Sequence, residues 1–99
     1  MNLTIETTEL EKLLKSVFPR VPPKKAVLRL TASDGSLVLQ SGDVSAGTSL
    51  VQIAREGDVS LPAKTFRQIV ATYKGTPSLE IEGGYGELRL NSLRIPVSS

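Results

Sequence analysis

The stretch VSLPAKTFRQIV, residues 59–70, decides the fold, because it repeats a pattern already written in LTIETTELEKLL, residues 3–14. An offset of 56 residues, with no gap, superimposes the apolar positions: Leu3 on Val59, Ile5 on Leu61, Leu10 on Phe66, Leu13 on Ile69 and Leu14 on Val70. Each segment opens with the alternation typical of a half-buried strand and continues with the spacing of one helical face. The repetition predicts a strand followed by a helix, twice.

The boundaries of the two helices follow from their flanking residues. Thr8 and Glu11 have the spacing of a capping box, and Pro19 ends the pattern, so the first helix is predicted over residues 8–18. The second is predicted over residues 63–74, with Pro62 suited to its first turn and Gly75 to its C-terminal cap. The apolar faces of both helices are expected to share one core.

Two hairpins also repeat, now at an offset of 51 residues. AVLRLTASDGSLVLQS, residues 26–41, alternates on both sides of the turn-forming pair Asp34-Gly35. SLEIEGGYGELRLNS, residues 78–92, does the same around a glycine-rich turn. The offset superimposes Leu28 on Leu79, Leu30 on Ile81, Leu37 on Leu88 and Leu39 on Leu90.

Two further strands complete the units. One is predicted over residues 45–53, with Gly47 marking a bulge or bend, and one over residues 93–97. The repeated unit is a strand, a helix and about three strands, and two such units bury their apolar faces against each other. We therefore predict one α+β domain over residues 1–99, with repeats at residues 2–53 and 58–98. Two helices lie side by side on antiparallel sheet, with pseudo-twofold symmetry.

Composition excludes several classes of function. The 99 residues contain neither histidine nor cysteine, which removes the commonest general base, the commonest metal ligand and any disulfide. No nucleophile has a base beside it, and GGYG, residues 83–86, lacks the following helix that a phosphate loop needs. We expect no enzymatic activity, no cofactor, no metal and no membrane contact. A cytoplasmic location is the default expectation.

The segment GDVSLPAKTFRQIVATYKGTPSLEIEGGYGELRL, residues 57–90, together with LTIETTELEKLLKSV and ASDGSLVLQS, resembles one domain of a DNA sliding clamp. The similarity is greatest to the first domain of the bacterial DNA polymerase III beta subunit. The resemblance implies the DNA-clamp (processivity) fold with two βαβββ repeats. In that family three domains form a chain and two chains close a six-domain ring. The family's peptide pocket lies between later domains and does not transfer to a single domain.

Basic side chains concentrate on the predicted helix side, although the net charge is only +2 and the sequence pI about 9.2. In the family this side faces the DNA backbone, so the resemblance makes these residues candidates for phosphate contact. They are Lys12, Lys15, Arg20, Lys24, Lys25, Lys64, Arg67 and Lys74. Phosphate contacts confer affinity without reading sequence. Basic residues on exposed helices also serve solvation alone, which is the competing interpretation.

Two predicted edge strands suggest how copies would assemble. In the family the corresponding strands pair across each domain boundary, so the candidate interface residues are Thr48, Leu50, Val51, Ile53, Leu93, Ile95 and Val97. Pro96 is counter-evidence, unless its missing N–H faces away from the neighbour. One hypothesis is a clamp-like protein that self-assembles, with six copies as the natural number, and encircles duplex DNA, with DNA polymerase or other clamp-associated proteins as further partners. The other is an interaction module that docks by edge pairing onto a larger clamp or another partner without binding DNA.

Overall fold

The computed structural model describes residues 1–84, 87–91 and 93–96. Its two helices are α1 (Thr7–Val17) and α2 (Ala63–Thr72). The strands of the described residues are β1 (Asn2–Glu6), β2 (Val27–Ser33), β3 (Ser36–Ser41), β4 (Val44–Thr48), β5 (Val51–Arg55), β6 (Gly57–Pro62), β7 (Ser78–Gly84), β8 (Glu87–Leu90) and β9 (Leu93–Pro96). This is the predicted order of strands and helices, with one strand added between the repeats.

The strands form two antiparallel sheets that share the core with the helices. One sheet has the order β5-β1-β7-β8-β9 and the other the order β4-β3-β2-β6. Each sheet contains the first strand of one repeat beside the three later strands of the other repeat. Exchange of strands between repeats explains why neither unit buries its apolar face alone.

The pseudo-twofold symmetry extends to single hydrogen bonds. The first amide of α1, Thr7 N–H, donates to the carbonyl of Pro77 at 3.1 Å, and the first amide of α2, Ala63 N–H, donates to that of Ala26 at 3.0 Å. The donors are 56 residues apart and the acceptors 51 residues apart, the two offsets read from the sequence. Each helix therefore begins at a carbonyl supplied by the other repeat, which satisfies an amide that would otherwise lack a partner.

The predicted capping box at Thr8 is wrong. Helix α1 begins at Thr7, its N-cap is Glu6, and no side chain caps it. Because β1 runs directly into α1, the bond to Pro77 takes the place of a side-chain cap. Helix α2 ends at Thr72, two residues before its predicted end, and Gly75 lies beyond it with φ of +98° where the chain reverses.

The strand predicted over residues 45–53 is also wrong, because two strands occupy it. β4 pairs with β3 in the four-stranded sheet, whereas β5 crosses to pair with β1 in the other sheet. Ser49 and Leu50 make the crossing, and Thr48 holds it: its Oγ1 accepts from Leu50 N–H at 3.0 Å and donates to Glu9 of α1 at 2.6 Å. Gly47 forms no bulge, since the register of β3 and β4 runs through it unbroken.

Both hairpins and the shared core are confirmed. Asp34 and Gly35 have φ of 53° and 75°, the positive values that a tight two-residue hairpin turn requires. The apolar residues superimposed by the offset of 51 are all fully buried: Leu28, Leu30, Leu37, Leu39, Leu79, Ile81, Leu88 and Leu90. The predicted helix contacts are likewise buried (Leu10, Leu13, Leu14, Phe66 and Val70), and Ile69 is half-buried. Over the described residues, neither helix is long and apolar enough to cross a membrane.

Candidate nucleic-acid interface

The two helices lie side by side and leave a shallow cleft between them. It has a volume of about 230 Å³ and a floor that includes Leu14 and Val70. Around this floor stand Lys15 of α1 and, from α2 and the turn after it, Arg67 and Lys74. Glu11 also reaches the cleft and is its acidic group. Three cations against one carboxylate make the cleft a positively charged surface.

Most of the predicted phosphate-contacting residues are exposed on or near this helix side. The side chains of Lys12, Lys15, Arg20, Lys24, Lys25 and Lys74 are exposed, and those of Lys64 and Arg67 are half-buried. Among the described residues, the only ion pair joins Arg29 and Asp58, which lie on the sheets. Among these residues no helix-side lysine forms an ion pair with a carboxylate, although Glu11 lies in the same cleft, so the excess positive charge is available to an anion.

Arg67 has a second role that the sequence did not reveal. Its guanidinium donates to the carbonyl of Phe18 at 3.3 Å and to the carbonyl of Arg20. These carbonyls belong to the segment that leaves α1, so Arg67 ties the end of one helix to the middle of the other. Its positive charge remains near the cleft, but its geometry is set by these bonds.

The outer faces of the sheets carry charges of both signs. Arg29 bonds to Asp58, and Glu82 lies opposite Arg89 in the register of β7 and β8. Opposite charges at facing cross-strand positions attract each other, so part of the charge on these faces is compensated within the sheets. The asymmetry between a basic helix side and a mixed sheet side agrees with the pattern read from the sequence.

The hydrogen-bond phase of each sheet shows which backbone groups face its open edge. Residues of an antiparallel strand alternate between bonding to the neighbour on one side and pointing to the other side. The bond from Ala63 to Ala26 sets the phase of β2, and the registers carry it through β3 to β4. In β4, Ser45 and Gly47 therefore direct their N–H and C=O groups to the open edge.

The same reasoning gives the phase of β9. Gly83 N–H donates to the Met1 carbonyl at 2.8 Å, so Gly83 faces β1, and the registers carry this phase through β8 to β9. The backbone groups of Arg94 and Pro96 consequently face the open edge. The expectation that the missing N–H of Pro96 would face away from a neighbour is wrong, because that edge is where a neighbour would pair.

The predicted interface residues fall on three different elements. Thr48 lies on β4, Leu50 on the link that follows it, and Val51 and Ile53 on β5 of the other sheet. Leu93 and Ile95 lie on β9, and Val97 lies outside the described residues. β4 and β9 are both edge strands, as predicted, but β5 and β6 are edge strands too. The division of residues 45–53 between two sheets created one of these additional edges.

No protein-family model matches the chain, and no curated protein matches it by sequence. Solved structures do match by fold. A Helicobacter pylori beta clamp in complex with carprofen has a TM-score of 0.86 at 17% identity, over 99% of this chain and 29% of that one. The Caulobacter crescentus pol III beta structure has a TM-score of 0.75 at 22% identity, over 98% of this chain and 29% of that one.

The fold is that of one sliding-clamp domain. A further match is the Helicobacter pylori beta clamp bound to a DNA ligase peptide, with a TM-score of 0.77 at 17% identity, over 100% of this chain. This chain spans about 31% of that protein's length and 29–30% of the other clamp chains. At these identities the likeness extends to the arrangement of helices and strands. It confirms the fold that the resemblance of residues 57–90 implied.

Proposed function

We propose that this protein is a clamp-like, non-enzymatic DNA-binding protein that assembles head to tail and places its helix side against duplex DNA. Six copies, each contributing one domain, would match the six-domain ring of the clamp family. Such a ring acts as a processivity factor in DNA replication by tethering a polymerase or other clamp-associated protein to the duplex. Because DNA contacts in this arrangement are to phosphates, binding would be independent of sequence.

The observation that supports DNA binding is the unneutralised charge of the helix side. Lys15 and Lys74 both line the cleft between α1 and α2, and helix α2 contains no acidic residue. The described residues of the sheet side instead carry charges of both signs, among them the ion pair of Arg29 and Asp58. Lysines that reach phosphates release counterions, which makes the affinity fall steeply as salt rises.

Assembly would join β4 of one copy to β9 of the next. If Ser45 pairs with Pro96 and Gly47 with Arg94, two paired positions yield three backbone hydrogen bonds rather than four, because Pro96 has no N–H. Head-to-tail contacts of this kind close into a ring when the rotation per copy divides a full turn. The lost bond makes each contact weaker, so we expect assembly to depend on protein concentration.

The test of DNA binding is fluorescence anisotropy with a labelled linear duplex of two unrelated sequences, titrated between low and physiological salt. The variant Lys15→Ala/Lys74→Ala should reduce the slope of log affinity against log salt by about 0.9 for each lysine that reaches a phosphate. Affinity should fall alike on both sequences, because phosphate contacts carry no base information.

The matched control is Arg55→Ala/Arg89→Ala, which removes the same charge from exposed positions of β5 and β8. It should leave the slope close to that of the parent protein. Equal losses in both variants would mean that net charge alone drives the interaction. That result, or a parent protein with no affinity for duplex at low salt, would overturn the proposal of a helix-side DNA interface.

The second candidate function is an interaction module that docks onto a larger clamp or another protein by edge pairing. The outward position of Pro96 favours it, since this residue weakens self-pairing through β9. Light scattering at high protein concentration separates the two candidates. A monomer without affinity for DNA would leave the interaction module as the better account.

A further inference from the structure

The first strands of the two repeats, β1 and β6, occupy equivalent positions but have different surroundings. β1 lies between β7 and β5, whereas β6 has β2 on one side and pairs with no other strand of the described residues. Among the described residues, no strand lies beside β6 in the way that β5 lies beside β1.

The burial of equivalent side chains reflects this difference. Leu3 of β1 has no exposed surface, and Ile53 of β5 lies opposite it in the register. Its counterpart at the offset of 56, Val59 of β6, is only half-buried. An apolar side chain on an added strand would cover Val59 as Ile53 covers Leu3.

The backbone of β6 presents the groups that an added strand needs. The bond from Ala63 to Ala26 places Gly57, Val59 and Leu61 in contact with β2, so Asp58 and Ser60 point their N–H and C=O groups outward. Their counterparts in β1, Asn2 and Thr4, are the residues that lie opposite Arg55 and Gln52 of β5. Pro62 follows in the same phase and lacks an N–H, which limits the open edge to a short segment.

The charge at this edge indicates which residue the added strand should carry. In β1 the uncharged Asn2 lies opposite Arg55, whereas in β6 the equivalent residue is Asp58, whose side chain is about half exposed, 49%. Arg29 binds Asp58 through the oxygen Oδ2 with two of its nitrogens. The other oxygen, Oδ1, has no hydrogen bond to any described residue and can receive a cation from the added strand.

From this juxtaposition we propose that the outer edge of β6 binds an extended segment of a partner protein, antiparallel to β6, as an added strand. The segment carries two apolar residues at alternate positions and a basic residue after them, the pattern Val51, Ile53 and Arg55 of β5. Main-chain bonds to Asp58 and Ser60 supply affinity, and the apolar contact with Val59 and the ion pair with Asp58 supply specificity. This site is separate from the helix side and does not depend on DNA binding.

The probe is a synthetic peptide with the sequence of residues 50–56, LVQIARE, added to ¹⁵N-labelled protein. Amide hydrogen exchange of Asp58 and Ser60 should be fast in the protein alone. It should slow about tenfold at a peptide concentration ten times the Kd. The amides of Gly57, Val59 and Leu61 already bond to β2, so their exchange should change little. A peptide in which aspartate replaces both Val and Ile should have no effect.

A charge swap tests the specificity. The variant Asp58→Lys should bind the parent peptide about two- to fivefold more weakly, and a peptide with glutamate in place of arginine should recover that loss. Protection of Asp58 and Ser60 in the protein alone would show that the edge is already filled. Protection that rises with protein concentration would assign the edge to a second copy. Either result, or peptide shifts confined to other strands, would overturn the proposal.

Discussion

Gly83 of β7 packs against Val59 of β6 in the other sheet, and replacing it with alanine tests the packing of the repeats. A Cβ atom at this position would lie 2.5 Å from Cγ1 of Val59, well inside the 3.5–4.0 Å of an ordinary carbon contact. The backbone of Gly83 bonds to Met1 on one side and lies opposite Leu88 on the other. Because β7 is held by both neighbours, Val59 and its edge strand must move.

The expected cost combines two opposing effects. Overpacking a core contact destabilises by about 1–3 kcal/mol. The alanine also lowers the conformational entropy of the unfolded chain, which offsets about 0.4–1 kcal/mol of this cost. We expect Gly83→Ala to lower the free energy of unfolding by about 0.5–2 kcal/mol, measured by urea denaturation followed by circular dichroism. With a slope of about 1 kcal/mol per molar urea, the midpoint falls by roughly 0.5–2 M.

A double-mutant cycle isolates the contact. In the Val59→Ala variant, the methyl group of an alanine at residue 83 meets no Cγ atom of residue 59. Gly83→Ala should therefore cost about 0.5–2 kcal/mol less in this variant than in the parent protein. The control Gly47→Ala places a Cβ 3.2 Å from Cγ2 of Val38 on an exposed face, and its loss should be smaller. The reasoning is refuted if Gly83→Ala is as stable as the parent or if the two substitutions are additive.

Three further outcomes follow from the described contacts. In urea denaturation, Phe66→Ala should lower the free energy of unfolding by about 3–5 kcal/mol and Leu14→Ala by about 2–5 kcal/mol. The control Gln68→Ala, on the exposed side of α2, should change it by less than about 0.5 kcal/mol. Arg67→Ala should cost about 1 kcal/mol by releasing the carbonyls of Phe18 and Arg20. Lys74→Ala, at an exposed position, should leave the urea midpoint unchanged. An Arg67→Ala variant as stable as the parent protein would contradict the stabilising role of these two hydrogen bonds. Ser45→Pro removes an outward N–H of β4 and should lower the mass measured by light scattering. The control Val38→Thr, on the outer face of β3, should leave this mass unchanged. If Ser45→Pro also leaves the mass unchanged, the β4 edge does not take part in assembly.

Sequence periodicity was sufficient to predict most of the fold. The offsets of 56 and 51 residues placed two helices and two hairpins, because alternation and helical spacing record which face of each element is buried. The Asp34-Gly35 turn followed from its residue types, since both positions need a positive φ. The basic helix side was predictable for the same reason: helical angles separate Lys12 and Lys15 from the apolar face.

Contacts between repeats decided what the sequence pattern could not. The residues of α1 contain a valid capping box at Thr8, yet the helix begins at Thr7, whose N–H donates to the carbonyl of Pro77, 70 residues further along the chain. The half-buried positions are Ala46 and Thr48 in β4 but Val51 and Ile53 in β5, and the latter two cross to the other sheet, where they lie opposite Ile5 and Leu3 of β1.

The candidate site divides in the same way. The basic residues and their side of the molecule were readable from local spacing, whereas the tether of Arg67 and the open edge of β6 were not. A helical or strand period reports the burial of one element, and it carries no information about which distant element supplies the burial. The sequence by itself determined the helices, the hairpins and the charged side. The tertiary structure decided the sheet partners, because hydrogen bonds between strands are made by backbone groups that every residue type except proline shares.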